Sequence, residues 1–157
     1  MHIYLTQGLH RAAQQTPGNV ACRFGARATT YAQLKDRVAR LAAGLQSLGV
    51  RPGDRVGMLA LNSDRYLEFY LATWWAGAVV NPVNVRWSAA EVAFSLMDCD
   101  TRVLLVDDAF AAMATPLKAR APVLQAVILA GDGDADALGL GAYERLIASS
   151  RAIEDQR

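Results

Sequence analysis

Short apolar runs alternate with longer amphipathic stretches along most of the chain. Four runs lack polar alternation, which is typical of strands covered on both faces, as in a parallel sheet. These runs are Val56–Leu61, Ala78–Val80, Val103–Val106 and Val127–Ala130. Helical periodicity predicts three helices between them, over Asp64–Ala76, Ala89–Met97 and Ala109–Arg120. Right-handed crossovers place such helices on both faces of the sheet, so the pattern predicts an α/β layered open sheet with a mainly parallel βαβαβαβ core.

A helix and a small hairpin are predicted to precede this core. The amphipathic segment Leu5–Thr16 has helical spacing, and the short runs Val20–Phe24 and Ala28–Thr30 are typical of a hairpin. Thr30 also begins a second helix, because Thr30 and Gln33 have the spacing of a capping box.

Capping residues indicate where the later helices begin, and the apolar composition of one helix indicates how deeply it is buried. Ser63 is a good N-cap, and Ser88 with Glu91 has the spacing of a second capping box. Asp64–Ala76 is apolar nearly all round, which predicts a central helix sandwiched between other elements. Beyond Ala130 we expect a flexible acidic turn, a last helix over Tyr143–Ser150 and a polar end without a stop signal.

Composition limits the class of protein. The 157 residues suit one domain or one lobe of a larger one, and 53% hydrophobic with 20% charged residues excludes a disordered tail. A net charge of +1 provides no strong field for nucleic acid. The longest apolar stretch, Phe69–Val80, is well below the roughly 20 residues that a bilayer crossing needs. Cys22 and Cys99 form no metal or redox motif, and no signal peptide is visible, so we expect a cytoplasmic protein without a membrane span.

Several candidate motifs favour structural interpretations. No glycine-rich dinucleotide or phosphate-loop motif is present, and neither His2 nor His10 is paired by motif with a nucleophile. His10 is therefore expected to be a partly exposed histidine on a surface helix. Alternating aspartates at 132, 134 and 136 suggest calcium, but Ala137 and Tyr143 stand where an EF-hand needs glycine and glutamate. A solvated acidic turn is the favoured interpretation.

Two further stretches follow predicted parallel strands, where α/β proteins place their chemistry. For Asp107-Asp108 we favour helix N-capping over a phosphoacceptor role, because the acidic and lysine partners of such a site are missing. Arg86 lies just before the helix that begins near Ala89, and free N–H groups at a helix N-terminus favour an anion. Its forked guanidinium suits phosphate or carboxylate, while a surface salt bridge or a carbonyl contact stays an open alternative.

In their order along the chain, these segments resemble the start of the AMP-forming acyl-CoA synthetases, in the adenylate-forming ligase superfamily. Thr29–Leu34 (TTYAQL) is similar to the family's "TYxEL" motif, with glutamine in place of the usual glutamate, and Gly49–Val56 (GVRPGDRV) to its "GVxxGDRV" turn. Asn62-Ser63 and Trp75–Asn84 (WAGAVVNPVN) are similar to its "PNS…AGAVxVPLNPR" stretch, and the likeness extends over about Leu5–Leu129.

The resemblance implies that residues 1–157 are the N-terminal portion of an AMP-binding (adenylation) domain, with the phosphate-loop region and C-terminal domain absent. It implies a parent enzyme that uses ATP and magnesium to convert a fatty or aromatic carboxylic acid to an acyl-adenylate, and then transfers the acyl group to coenzyme A. This part alone is expected to be inactive, with no catalytic or metal-binding residue and no tight cofactor binding. The family's coenzyme A-contacting arginine corresponds to Arg86, although Val85 replaces the preceding proline.

The expected partner is the remainder of the adenylation domain. A sheet shaped to be extended and covered would leave apolar surface exposed, which predicts a homo-oligomer through that surface. Two alternatives stay open. One is a stand-alone, non-catalytic α/β binding module of the same ancestry, and the other is an unrelated nucleotide-binding α/β domain, which the missing glycine motifs disfavour.

Overall fold

The computed structural model describes residues 4–156. The helices are α1 (Gln7–Gln15), α2 (Tyr31–Ser47), α3 (Asp64–Trp75), α4 (Ala89–Asp98), α5 (Ala114–Arg120) and α6 (Tyr143–Ser149). The strands are β1 (Val20–Phe24), β2 (Arg27–Thr30), β3 (Arg55–Leu59), β4 (Val79–Pro82), β5 (Thr101–Val106), β6 (Ala126–Leu129) and β7 (Gly141–Ala142).

The main sheet has the order β4-β3-β5-β6-β7, and all of its neighbouring pairs are parallel. Val56 of β3 lies in register with Val80 on one side and Val103 on the other. Strands β1 and β2 form a separate antiparallel hairpin. The predicted α/β open sheet with a parallel core, preceded by a helix and a small hairpin, is therefore confirmed.

Helices cover both faces of the sheet, and this explains the unbroken apolar runs. Val103 and Leu105 of β5 face a core formed with α1, α2, α3 and α6, whereas Leu104 and Val106 face a second core formed with α4 and α5. All four side chains are fully buried. Because successive side chains of a strand point to opposite faces, a strand covered on both sides has no place for polar alternation.

The predicted caps form. Gln33 donates its backbone N–H to Thr30 Oγ1 at 3.3 Å, and Thr30 donates its own to Gln33 Oε1 at 2.9 Å, which completes the capping box of α2. Ser63 Oγ accepts the N–H of Tyr66 at 3.3 Å at the start of α3. These bonds satisfy N–H groups that have no partner inside the helix.

Near the β6 and β7 end of the sheet, one predicted helix starts later than expected and one strand was not predicted. The helix expected from Ala109 begins only at Ala114, after a short 3-10 turn over Ala111–Met113. Pro116 explains the delay, because a proline ring is tolerated in the first turn of a helix but clashes with the carbonyl four residues earlier inside one. Strand β7 was missed since its two residues are too few to show any period.

Helix α3 is also less enclosed than predicted. Tyr66, Tyr70 and Trp74 are only half-buried and stack along one side of the helix, and Leu67 is exposed. The inward positions include charged residues, of which Glu68 is 3% exposed. The helix therefore buries a mixed polar and apolar face rather than an apolar cylinder.

The last described residues are packed rather than left as a free polar end. Trp75 donates its indole N–H to the carbonyl of Ile153 at 2.9 Å, and Gln156 donates its backbone N–H to the carbonyl of Trp75 at 2.9 Å. Asp155 Oδ2 lies 2.6 Å from Thr6 Oγ1 and 2.7 Å from His10 Nε2. These contacts tie α1 to α3 through the segment 151–156.

His10 is partly exposed on the surface helix α1, as expected, and it also makes specific contacts. Its ring stacks on Trp75 with a centroid distance of 4.6 Å while its nitrogen contacts Asp155. His2 lies outside the described residues. Among residues 4–156, none of the helices has both the length and the apolar character that a membrane crossing demands.

Replacing Asp155 tests the role of the segment 151–156. Asp155→Ala should lower the free energy of unfolding by about 1–3 kcal/mol, because Thr6 and His10 lose their shared acceptor. Urea unfolding followed by tryptophan fluorescence measures the change. Glu154→Ala, at an exposed neighbouring position, is the matched control and should cost much less. Equal effects of the two substitutions would contradict this role.

Candidate functional site

The carboxyl ends of β3, β4, β5 and β6 meet at one edge of the sheet, because these strands are parallel. A cleft of about 260 Å³ lies at this edge. Its walls include Asn62-Ser63 after β3, Asp107-Asp108 after β5 and Gly131-Asp132 after β6. The chain thus brings together the segments that follow three separate strands, at the position where open α/β sheets bind their ligands.

Asp107 and Asp108 hold the walls of this cleft together. Asp107 accepts the backbone N–H of Leu61 at 2.7 Å and that of Ala109 at 3.1 Å. Asp108 accepts the N–H of Asp132 at 2.8 Å and that of Gly133 at 2.9 Å. Neither caps an α-helix, so the predicted N-capping role was wrong. Both carboxylates join loops by accepting backbone N–H groups.

Gly131 is required by the same arrangement. A Cβ atom at this position would lie 2.2 Å from Asp108 Oδ1. That distance is far below van der Waals contact, so any larger residue would push the Asp108 carboxylate away from the N–H groups it binds. The close approach of the β6 loop to Asp108 therefore depends on glycine.

A second cleft, of about 520 Å³, lies beside the first and is lined by charged side chains. We call its charged groups the arginine–carboxylate cluster. Its members are Arg27, Arg37, Arg65, Asp64, Glu68, Asp132 and Glu144. They come from β2, α2, α3, the turn after β6 and α6, so the cluster joins elements that are distant in sequence.

Glu68 is the most buried carboxylate of the cluster. Arg37 holds it through two hydrogen bonds, of 2.6 and 3.0 Å, and Tyr143 donates its hydroxyl to the same carboxylate at 2.6 Å. Arg37 also binds both oxygens of Glu144 at 2.9 Å. Burial, and then the adjacent Glu68 charge, raise the pKa of Tyr143 well above its ordinary value, so it stays a hydrogen-bond donor.

Arg27 and Arg65 complete the cluster on its hairpin side. Arg27 binds Asp64 with two hydrogen bonds, of 2.7 and 2.9 Å, and Arg65 binds Asp132 at 2.8 Å. Burial raises the pKa of Asp64, but the hydrogen bonds and charge of Arg27 outweigh it and hold this pKa below its ordinary value. The Arg37 guanidinium likewise lowers the pKa of Glu144.

The acidic turn is exposed to solvent, as expected, and its aspartates also make ion pairs. Asp132 pairs with Arg65 and Asp136 pairs with Arg145, the latter at 2.7 Å. Asp134 accepts the N–H of Ala137 at 3.1 Å and so closes the turn. Across residues 4–156, no group of three or more His, Cys, Asp or Glu side chains is placed to hold a metal ion.

Arg86 lies in the turn that leaves β4 at the same edge of the sheet. Asn84 shapes this turn, since its side chain accepts the Arg86 N–H at 3.0 Å and its carbonyl accepts the Trp87 N–H at 3.2 Å. The Arg86 side chain is exposed, and within the described part of the chain no hydrogen bond or ion pair engages its guanidinium. It is a cation available to a ligand.

The neighbouring helix N-terminus is occupied by the protein's own carboxylate. Glu91 Oε2 accepts the backbone N–H of Ser88 at 2.8 Å, while Ser88 Oγ accepts the Glu91 N–H at 3.4 Å. The hydrogen bond from the Ser88 N–H lowers the pKa of Glu91. These bonds form the capping box predicted for Ser88 and Glu91, which is therefore confirmed, and Arg86, whose guanidinium is unpaired within residues 4–156, lies just before it.

Known proteins resemble this chain along most of its length. The sequence profile of the family described as AMP-binding enzyme matches residues 9–151. Feruloyl-CoA synthase from an Amycolatopsis species is 47% identical over 95 residues, which are 60% of this chain and 19% of that protein. Long-chain-fatty-acid–CoA ligase from Thermus thermophilus is 46% identical over 79 residues, which are 50% of this chain and 15% of that protein.

The fold is shared with a solved structure as well. The N-terminal domain of FACL13 from Mycobacterium tuberculosis superposes with a TM-score of 0.84 at 26% identity, covering 99% of this chain and 38% of that one. The matched parts of the two curated ligases are 19% and 15% of their lengths, so this chain aligns with no more than about a fifth of either relative.

The Arg27–Asp64 pair predicts a pH-dependent stability. Because the folded-state pKa of Asp64 is lowered, its contribution is fully present above the unfolded pKa of about 4 and is lost as the pH falls through the folded value. Arg27→Ala should therefore lower the free energy of unfolding by about 1 kcal/mol at neutral pH, a figure reduced for the partial exposure of Arg27.

The difference in the free energy of unfolding between the wild-type chain and Arg27→Ala should shrink as the pH falls from about 4 through the lower folded-state pKa of Asp64, since below that pKa the carboxylate is protonated in both proteins. Urea unfolding of both proteins at a series of pH values measures this difference in the free energy of unfolding. Arg23→Ala, on the same hairpin but outside the cluster, is the control and should show no such dependence. A difference that stays constant down to pH 2.5 would contradict the assignment.

Proposed function

This chain belongs to the AMP-binding enzyme family, and we propose that it is the N-terminal part of a ligase that joins a carboxylic acid to coenzyme A at the expense of ATP. The observation that carries the proposal is the family match over residues 9–151, together with curated relatives that are CoA ligases. The likeness to an N-terminal domain from Mycobacterium tuberculosis supports the position of the chain within such an enzyme.

A fatty or aromatic acid is the proposed substrate. The relatives named above include a feruloyl-CoA synthase and a long-chain-fatty-acid–CoA ligase, so both classes occur among similar proteins. In the proposed reaction, a carboxylate oxygen attacks the α-phosphorus of ATP, which forms the acyl-adenylate and releases pyrophosphate. The thiol of coenzyme A then attacks the acyl carbon, which forms the thioester and releases AMP.

We propose that ATP and magnesium are held mainly by the rest of the enzyme. The arginines at positions 27, 37 and 65 each pair with carboxylates of the chain itself and so are not available to a triphosphate. The described residues also bring no three metal-binding side chains together. We therefore assign no catalytic step to this chain. Its role is to form the layered sheet on which the remainder of the adenylation domain, its proposed partner, would be built.

Arg86 is the one residue proposed to contact a substrate. Its guanidinium is exposed, unpaired within the described residues, and located at the carboxyl edge of the sheet. A free guanidinium can donate two parallel hydrogen bonds to a phosphate. These properties support Arg86 as a contact to the nucleotide phosphate of coenzyme A in the longer enzyme.

The test of this contact uses a longer protein in which this chain is joined to the rest of an adenylation domain. Arg86→Ala should raise the KM for coenzyme A about fivefold, because one exposed charge-assisted contact is worth roughly 1 kcal/mol. Acyl-adenylate formation, measured by ATP–pyrophosphate exchange, should not change. Arg120→Ala, at an exposed arginine ending α5, is the control. Equal KM values in the variant and the parent would end the proposal for Arg86.

The assignment of catalysis to other parts of the enzyme is tested on the chain by itself. Mixed with ATP, magnesium and either ferulate or palmitate, it should release no pyrophosphate above a protein-free blank. Calorimetric titration should likewise show no tight binding of ATP, AMP or coenzyme A. Pyrophosphate release that depends on the added acid would overturn this assignment and place the reacting groups within residues 1–157.

A further inference from the structure

Helix α4 carries an apolar stripe on its outer side. Its inner residues Val92 and Leu96 are fully buried against the sheet. The outer stripe consists of Trp87, Ala90, Phe94 and Met97, of which the three large side chains are 38%, 71% and 45% exposed. Spacings of three and four residues place Ala90, Phe94 and Met97 on one side of the helix, and Trp87 lies in the bend just before it. We call this surface the α4 stripe. A groove of about 510 Å³ lies along its Trp87, Ala90 and Phe94 side and is also lined by the polar residues Glu91, Ser95 and Asp98.

Unpaired charges of opposite sign lie at the two ends of the α4 stripe. Arg86 precedes it, and Asp98 is the last residue of α4. Both side chains are exposed, and neither has a hydrogen bond or ion pair within the described residues. The stripe is complementary to a reversed second copy of itself, because the cation at one end then faces the anion of the other copy.

If one copy of the stripe is reversed about residue 92, each position in one copy lies opposite a matching position in the other. Arg86 and Asp98 lie equally far from residue 92 on either side. The same holds for Trp87 with Met97, and for Ala90 with Phe94. Each pair matches in chemistry: the charges are opposite, an aromatic ring meets a thioether, and a large side chain meets a small one.

We propose that the α4 stripe binds a second copy of this chain, with the two α4 helices antiparallel about a two-fold axis near residue 92. In this arrangement Phe94 of each copy enters the space left above Ala90 of the other, and Arg86 of each copy faces Asp98 of the other. A two-fold interface uses the same patch twice, which is why a self-complementary stripe favours it. The proposal goes beyond the enzymatic function and does not rest on it.

The remaining carboxylate on this side, Glu91, lies one residue from the proposed two-fold axis and therefore near Glu91 of the other copy, which weakens the pairing. Glu91 is held by the N–H and hydroxyl of Ser88, both at 2.8 Å, and its reversed counterpart is residue 93, an alanine that faces the core. The contact is small, since one ten-residue helix from each copy buries less than the roughly 800 Å² per partner of a standard interface. We therefore expect a weak dimer whose population rises with protein concentration.

Sedimentation velocity of the chain between about 5 and 500 μM tests the proposal. The weight-average mass should rise with concentration from 16.9 kDa towards twice that value. Phe94→Asp should keep it at the monomer mass. Leu67→Asp, at an exposed apolar position of α3 on the opposite face of the sheet, is the matched control and should associate like the wild type.

A charge exchange identifies the partner as a second, reversed copy. Arg86→Asp and Asp98→Arg should each weaken self-association at least about fivefold, since each places like charges opposite one another twice. An equimolar mixture of the two single variants should associate as strongly as the wild type, because every pair is then of opposite charge. Both substitutions suit the helix dipole, so the monomer fold should be retained.

Three results would overturn the proposal. A mass that stays at the monomer value up to 500 μM would show that the stripe does not hold a second copy. Association that survives Phe94→Asp would place the contact elsewhere, such as the open edge of β4. A mixture of the two charge variants that associates no better than either alone would exclude the antiparallel arrangement.

Discussion

The structure depends on one buried charge, the carboxylate of Glu68. A carboxylate removed from water destabilises a fold by several kcal/mol unless it is paired and fully hydrogen-bonded. Glu68 is satisfied only when Arg37 of α2 and Tyr143 of α6 lie on either side of it. Three helices are therefore positioned together on one face of the sheet. That placement also packs Leu146 of α6 closely against Gly44 of α2. A Cβ atom added at Gly44 would lie 2.6 Å from the Leu146 Cγ.

Periodicity predicted the layered architecture because each strand of the parallel core is covered on both faces. It could not predict the arginine–carboxylate cluster, whose partners Arg37 and Glu144 are distant in sequence and meet only after α2 and α6 pack. One local signal was available: Asp64 and Glu68 are four residues apart, so they share a face of α3 that the apolar interpretation treated as core. Charged residues at buried helical positions indicate partners from other elements, but the sequence does not name those partners.

At the carboxyl edge of the sheet, too, the sequence predicts where residues lie along the chain but not which distant residues they contact. That Arg86 and Asp107-Asp108 follow parallel strands could be predicted, and with it their common edge. Whether each side chain is free or engaged depends on neighbours from other loops. The two aspartates accept hydrogen bonds from backbone N–H groups of the loops after β3, β5 and β6. Arg86, in contrast, lies in a turn that Asn84 closes through backbone N–H groups, so the Arg86 guanidinium is not used. Only Arg86 leaves a charge for binding.

The guanidinium of Arg86 links the two proposals made for this surface. A guanidinium that faces Asp98 of a second copy has fewer donors left for a phosphate, and a bound phosphate would bring a negative charge next to that carboxylate. Binding of either partner must therefore weaken binding of the other, since linked equilibria act reciprocally. The apolar part of the α4 stripe, centred on Phe94, is not shared in this way. Under the two proposals, Phe94 would affect self-association alone, whereas Arg86 would take part in both equilibria, so substitutions of the two residues would separate the contributions of apolar burial and charge.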